Sequence, residues 1–108
     1  MTEFAIVLTT FPAGADVEAT ARRLVEERLA ACVNVLGPMR SVYEWKGEVE
    51  AADERQLVIK TSRARVADLQ RRLVELHPYE VPEFLVVGIE TGSEPYLAWL
   101  ASAVRLDG

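Results

Sequence analysis

Residues 77–83, with the sequence HPYEVPE, form the densest group of side chains that could do chemistry. The segment contains the only histidine of the chain, His77, together with Glu80 and Glu83. Imidazole is a ligand for copper and zinc, whereas the two carboxylates alone would hold harder cations weakly. The alternative for a lone histidine is that it ends the preceding helix and bonds the last carbonyls of that helix. We favour this alternative because no second histidine or cysteine lies at ligand spacing.

The second candidate ligand is Cys32, the only cysteine. In an apolar strand such a residue is more often a small buried hydrophobe than a ligand or a nucleophile. If Cys32 and His77 met in space, soft sulfur and imidazole would favour copper(I) or zinc. No nucleophile, base and orienting group stand at a spacing that suits catalysis, so we predict that the chain is not an enzyme.

The charge balance argues against nucleic acid as a partner. A net charge of −5 and a pI of about 4.9 repel a phosphate backbone. The arginine clusters are closely followed by acidic residues, which is typical of solvated helix faces.

Lys60 closes an apolar strand, where it either pairs with a carboxylate such as Asp53 or Glu83 or reaches solvent.

Length and composition predict one domain that spans residues 1–108. With 108 residues and a 50% hydrophobic share, the chain can bury a core of its own. A single cysteine allows no internal disulfide, and the first residues lack the features of a secretory signal, so we expect a cytoplasmic protein. Every apolar run is far shorter than the roughly 20 residues that cross a bilayer, so we expect no membrane partner.

The elements that position these residues follow from hydrophobic periodicity. Alternating or continuous apolar runs predict strands at residues 4–11, 31–36 resumed at 41–45, 48–60 and 84–89. Stripes of three-four spacing predict helices that start at Asp16, at Thr61 or Ser62, and at Ser93. The near-continuous first run suits a central strand that is buried on both faces.

The resulting order is β-α-β-β-α-β plus a C-terminal helix. This is the α+β, ferredoxin-like split βαβ arrangement. Right-handed crossovers then place both main helices on one face of a four-stranded antiparallel sheet.

The central hairpin is the unusual element. Gly37-Pro38 predicts a bulge at a sheet edge, and Lys46-Gly47 predicts a two-residue turn. Each arm of about 13 residues would be near 40 Å long, against a diameter of about 34 Å for a domain of this size. The tip should therefore overhang its own core and expose Tyr43, Trp45 and Val49, which favours self-association. The alternative is a hairpin that bends back so that the aromatic residues pack locally.

The last helix also carries aromatic residues that could either contact another copy of the chain or pack locally. Its inward stripe runs through Leu97, Leu100 and Val104, and Trp99 falls to one side of that stripe. Tyr96 and Trp99 therefore either anchor a neighbouring subunit or widen the buried face, and the pattern favours neither.

Several segments together resemble one known family. They are residues 24–34 (LVEERLAACVN), 41–49 (SVYEWKGEV), 57–61 (LVIKT), 76–83 (LHPYEVPE) and 96–100 (YLAWL). In this order, almost end to end, they resemble the CutA divalent-cation tolerance proteins. The resemblance implies a cytoplasmic homotrimer of ferredoxin-like subunits that are locked together by their long hairpins.

The resemblance also implies a role in tolerance of copper and other divalent metals, with no obligatory cofactor. His77 and Cys32 stand at the positions to which copper binding is ascribed in some members, whereas Leu76 and Thr9 replace a second histidine and a further cysteine. The family is similar in build to the PII nitrogen-signalling proteins. The second hypothesis is therefore a sensor or scaffold that holds a small ligand or an unidentified protein partner in clefts between subunits, to which Lys60, Tyr79 and Asp53 are assigned.

Overall fold

The computed structural model describes residues 3–106 as one four-stranded sheet with three helices. The elements are β1 (Phe4–Pro12), α1 (Val17–Glu26), β2 (Cys32–Trp45), β3 (Glu48–Ser62), a 3-10 turn (Arg63–Arg65), α2 (Val66–Leu76), β4 (Leu85–Ile89) and α3 (Glu94–Ala103). The strand order is β2-β3-β1-β4, and every neighbouring pair is antiparallel. The predicted element order and ferredoxin-like arrangement are confirmed. None of the helices within residues 3–106 is both long and apolar enough to cross a membrane.

The main core lies between one face of the sheet and the helices α1 and α2. Alternate residues of the two central strands point to this side, because successive side chains of a strand face opposite ways. They pack against the apolar stripes that three-four spacing creates on α1 and α2. The fully buried members of this core include Val7, Phe11, Leu24, Leu57, Ile59, Leu69 and Leu73.

The other face of the sheet, which we call the open face, is only partly covered. It carries the remaining alternate residues of the strands, among them Ile6, Leu8, Val58, Leu85 and Val87. Helix α3 covers one end of it, where Ala31, Leu100 and Val104 form a small cluster with Phe4. The prediction that β1 is buried on both faces is therefore wrong for the single chain. Both crossover helices pack on the same side, so only the helix-side residues of β1 are fully buried.

The hairpin of β2 and β3 extends beyond the rest of the sheet. β1 pairs with β3 only as far as Glu54, so the six residues from 48 to 53 form a two-stranded overhang about 20 Å long. The overhang accounts for the elongated shape of 44 × 26 × 22 Å, and Val49 near its tip is 78% exposed. The predicted overhang is confirmed, and the alternative of a hairpin folded back over its sheet is wrong.

The turn and the bulge of the hairpin also match the prediction. Lys46 and Gly47 have φ angles of 53° and 84°. Two positive φ angles are required in a two-residue turn whose twist matches the twist of the flanking strands. The register between β2 and β3 shifts between Leu36 and Met39, at the Gly37-Pro38 pair of the edge strand β2. Gly37 itself has a φ of 116°, a conformation that favours glycine.

The predicted helix start is right for α1, whereas at the second helix Ser62 takes the N-cap position of the 3-10 turn that leads into α2 but neither Thr61 nor Ser62 makes the predicted capping bond. Asp16 caps α1, because its Oδ1 accepts the Ala19 backbone N–H at 3.1 Å. Thr61, a proposed cap of the second helix, instead lies in β3, where its buried hydroxyl donates to the Leu29 carbonyl at 2.8 Å. Ser62 precedes the 3-10 turn but its side chain makes no capping bond. The strand overrides the capping signal because β1 pairs with β3 as far as Ser62, which turns Thr61 towards the core.

This difference can be tested by replacing each residue in turn. We expect Thr61→Val to lower the free energy of unfolding by about 1–3 kcal/mol, because it leaves the Leu29 carbonyl buried without its donor. Ser62→Ala, the control, should change it by less than about 0.5 kcal/mol. Chemical denaturation at one fixed protein concentration would measure both. A larger loss for Ser62→Ala than for Thr61→Val would restore the capping interpretation.

Candidate functional site

The overhanging hairpin and the loop between α2 and β4 enclose a cleft of about 780 Å³, which we call the hairpin cleft. Its lining is acidic and aromatic. The residues that give it this character are Glu50, Glu54, Glu80 and Glu83 together with Tyr43, Trp45 and Tyr79. Of the residues that line it in the described part of the chain, none is a lysine or an arginine.

The register of the hairpin places half of this lining. Tyr43 pairs with Glu50, and Met39 pairs with Glu54. Directly paired residues of antiparallel strands lie on the same face, and so do residues two apart along a strand. The hairpin therefore presents its aromatic and acidic side chains together on the side that faces the loop.

Glu54 is the buried acidic side chain of the cleft. It is only 7% exposed, and its Oε2 accepts a hydrogen bond from the Tyr79 hydroxyl at 2.6 Å. Burial raises the pKa of the Tyr79 phenol well above its usual range, and the hydrogen bond and charge of Glu54 raise it further. Tyr79 therefore stays protonated and remains a donor. Within residues 3–106, no lysine or arginine forms an ion pair with Glu54.

Gln56 fastens the far end of the loop to the sheet. Its Nε2 donates to the Thr9 carbonyl and to Glu83 Oε2, both at 3.1 Å. Gln56 and Tyr79 therefore hold the loop at two points, and Glu83 is fixed beside the sheet.

His77 is part of the same anchorage. Its Nδ1 accepts the Tyr79 backbone N–H at 3.1 Å, so the ring proton belongs on Nε2, which donates to the Thr10 carbonyl at 2.7 Å. The ring stacks on Phe11 with a centroid distance of 4.0 Å, and burial lowers the pKa of the imidazole. Both ring nitrogens are thus engaged within the chain. His77 follows α2, as expected for a histidine that ends a helix, but the carbonyl it bonds belongs to β1 and not to the helix.

Cys32 lies far from His77. Cys32 begins β2 on the open face and pairs with Lys60 of β3. His77 instead bonds to the carbonyl of Thr10, and Thr10 pairs with Gln56 of β3. Lys60 and Gln56 are four residues apart along β3, or about 13 Å. Within residues 3–106, no three histidine, cysteine, aspartate or glutamate side chains come together as a metal-binding group. The structure therefore does not assemble a copper site from Cys32 and His77 within one subunit.

The three residues assigned to an inter-subunit cleft separate in the single chain. Tyr79 lines the hairpin cleft, but Lys60 lies at the α3 end of the open face, with its Nζ 5.9 Å from the centroid of the Tyr96 ring. Asp53 forms an exposed ion pair with Arg40 at 2.9 Å, and Glu83 is bonded to Gln56. The pairing of Lys60 with Asp53 or Glu83 is therefore wrong within the subunit, because strand alternation puts Asp53 on the opposite face.

The predicted subunit-interface residues are exposed at three separate places. Tyr43 and Trp45 face the hairpin cleft, and Val49 lies on the other side of the hairpin. Tyr96 and Trp99 lie together on α3, with their ring centroids 5.3 Å apart. Their contact with another subunit stays a prediction.

Glu54, Gln56 and the apolar open face were not predicted from the sequence. Glu48 pairs with Trp45 directly after the Lys46-Gly47 turn, and every second residue from Glu48 lies on the same face of the strand. This count would have placed Glu54 on the same face as Tyr43 and Trp45. The apolar residues of 84–89 were a second signal, because a short edge strand needs such residues only where something covers it.

Comparison with known proteins adds independent findings. Residues 5–103 match the family model described as CutA1 divalent ion tolerance protein. The divalent-cation tolerance protein CutA of Thermus thermophilus is 43% identical over 95 residues, which are 88% of this chain and 92% of that protein. The crystal structure of CutA from Xylella fastidiosa is 38% identical, with a TM-score of 0.92 over 96% of this chain and 100% of that one. The structure of the periplasmic divalent cation tolerance protein CutA from Archaeoglobus fulgidus is 32% identical, with a TM-score of 0.90 over 94% and 99% of the two chains.

The burial of His77 predicts a specific loss of stability in mild acid. Its pKa in the folded state lies below the ordinary value of 6.5, so the unfolded chain binds the proton more readily. Stability should therefore fall as the pH drops through 6.5 towards the folded-state pKa. We expect the free energy of unfolding to fall more between about pH 7.5 and about pH 5.5 in the wild type than in His77→Gln, which cannot titrate there. Equal falls in the two proteins would show that His77 is not the titrating group.

Proposed function

Because this chain belongs to the CutA1 divalent ion tolerance family, we propose that it acts in tolerance of divalent metal ions as a single-domain subunit of a homotrimer. The family name supports the role in tolerance. The observation that carries the assembly is the uncovered apolar surface of the open face.

That surface is extensive for a chain of this size. Leu36 of β2 and Leu85 and Val87 of β4 lie on the open face and are each about half exposed, so the exposed apolar residues stand at both edges of the sheet. Large apolar surface of this kind marks an interaction site in soluble proteins. Sister copies that cover the open face would also shelter the hairpin tip and the exposed aromatic pair of α3. The overhanging hairpin favours neighbouring copies, and the number three comes from the resemblance to the family.

Metal binding in this proposal is weak. Cys32 supplies the soft donor, and Glu80 and Glu83 supply oxygen donors for harder ions. His77 would have to give up its bond with Thr10 or with Tyr79 before it could bind copper. Because these donors lie apart in the subunit, we infer low affinity for copper or another divalent cation unless a neighbouring copy completes the ligand set.

We further propose a cytoplasmic, non-catalytic protein without a nucleic-acid partner. One free cysteine suits a reducing compartment, although the Archaeoglobus fulgidus relative is named as periplasmic. The net charge of −5 disfavours nucleic acid. The family is named for tolerance and not for a reaction, which supports a non-enzymatic role.

The hairpin cleft favours a second candidate function, a PII-like sensor or scaffold. A cleft of about 780 Å³ lies within the usual range of small-molecule sites, which combine apolar walls with a few fixed polar groups. Here the tyrosine and tryptophan rings supply the walls, and the anchored glutamates supply the polar groups. In this function the cleft would hold a small ligand, or a partner protein would contact its rim.

The assembly can be tested by measuring mass in solution. We expect light scattering to give about 36 kDa for the wild type, three times 12.0 kDa. Leu85→Glu should lower the mass or make the protein aggregate, because a charge on the covered apolar face would lose its water. Val74→Glu on α2 is the matched control, since Val74 is 56% exposed and Leu85 is 55% exposed. A folded wild type of 12.0 kDa, or equal masses for both variants, would contradict the proposed interface.

The metal ligands can be separated by a pair of variants. We expect Cys32→Ser to weaken copper(I) binding about tenfold, or by about 1.4 kcal/mol, because it removes the soft donor. His77→Gln should leave the affinity unchanged, because both nitrogens of His77 are engaged within the chain. Titration under nitrogen against a competing copper(I) chelator would measure both affinities. An equal loss in His77→Gln would show that the imidazole opens to bind metal, and no binding by the wild type would reject the metal site.

A further inference from the structure

We draw no further inference here: the strongest candidate, the apolar groove between α1 and the outer edge of β2 that Val25, Val33 and Val35 line, carries none because nothing within residues 3–106 shows what covers it.

Discussion

The placement of α1 and α2 on the same side of the sheet is the constraint on which the rest of the structure depends. Right-handed crossovers leave no other arrangement for two βαβ units that share one antiparallel sheet. One face is closed by a dense core, with Val7, Leu57 and Ile59 fully buried, and the other face must be covered by something else. Helix α3 packs on only one end of that face, so apolar residues of β4 and of the hairpin remain exposed in the single chain.

The same constraint separates two chemical environments. At one end of the open face, Cys32 and Lys60 lie beside α3, and Tyr96 stands 5.9 Å from the lysine ammonium. At the other end, the sheet continues as a two-stranded hairpin whose inner side meets the loop after α2. Soft and cationic groups therefore collect at one end and carboxylates at the other. An assembly that joins open faces could bring the opposite ends of different copies together.

The loop after α2 shows how a short polar segment becomes rigid. Three hydrogen bonds hold it: His77 to the Thr10 carbonyl, Tyr79 to Glu54 and Gln56 to Glu83. In each case a buried or half-buried polar group of the loop bonds to a partner on β1 or β3, which avoids the cost of an unsatisfied group. The histidine and the tyrosine that look like ligands in the sequence thus act first as anchors for the loop. Binding of a ligand would therefore depend on the accessible groups beside these two residues.

The sequence by itself determined the order of the elements, the ferredoxin-like arrangement, the turn at Lys46-Gly47 and the overhang of the hairpin. These depend on local periodicity, on strand length and on the positive φ of a turn, all of which are written in neighbouring residues. Only the tertiary structure decided three contacts. The Thr61 hydroxyl bonds within the core and does not cap a helix, both ring nitrogens of His77 form hydrogen bonds within the chain, and Glu54 is buried and bonded to Tyr79. Those contacts join residues that are 25 to 67 positions apart, with the exception of the local bond to Tyr79. They were beyond prediction because they depend on the register of strands and on the path of loops, which hydrophobic patterning along the chain does not fix.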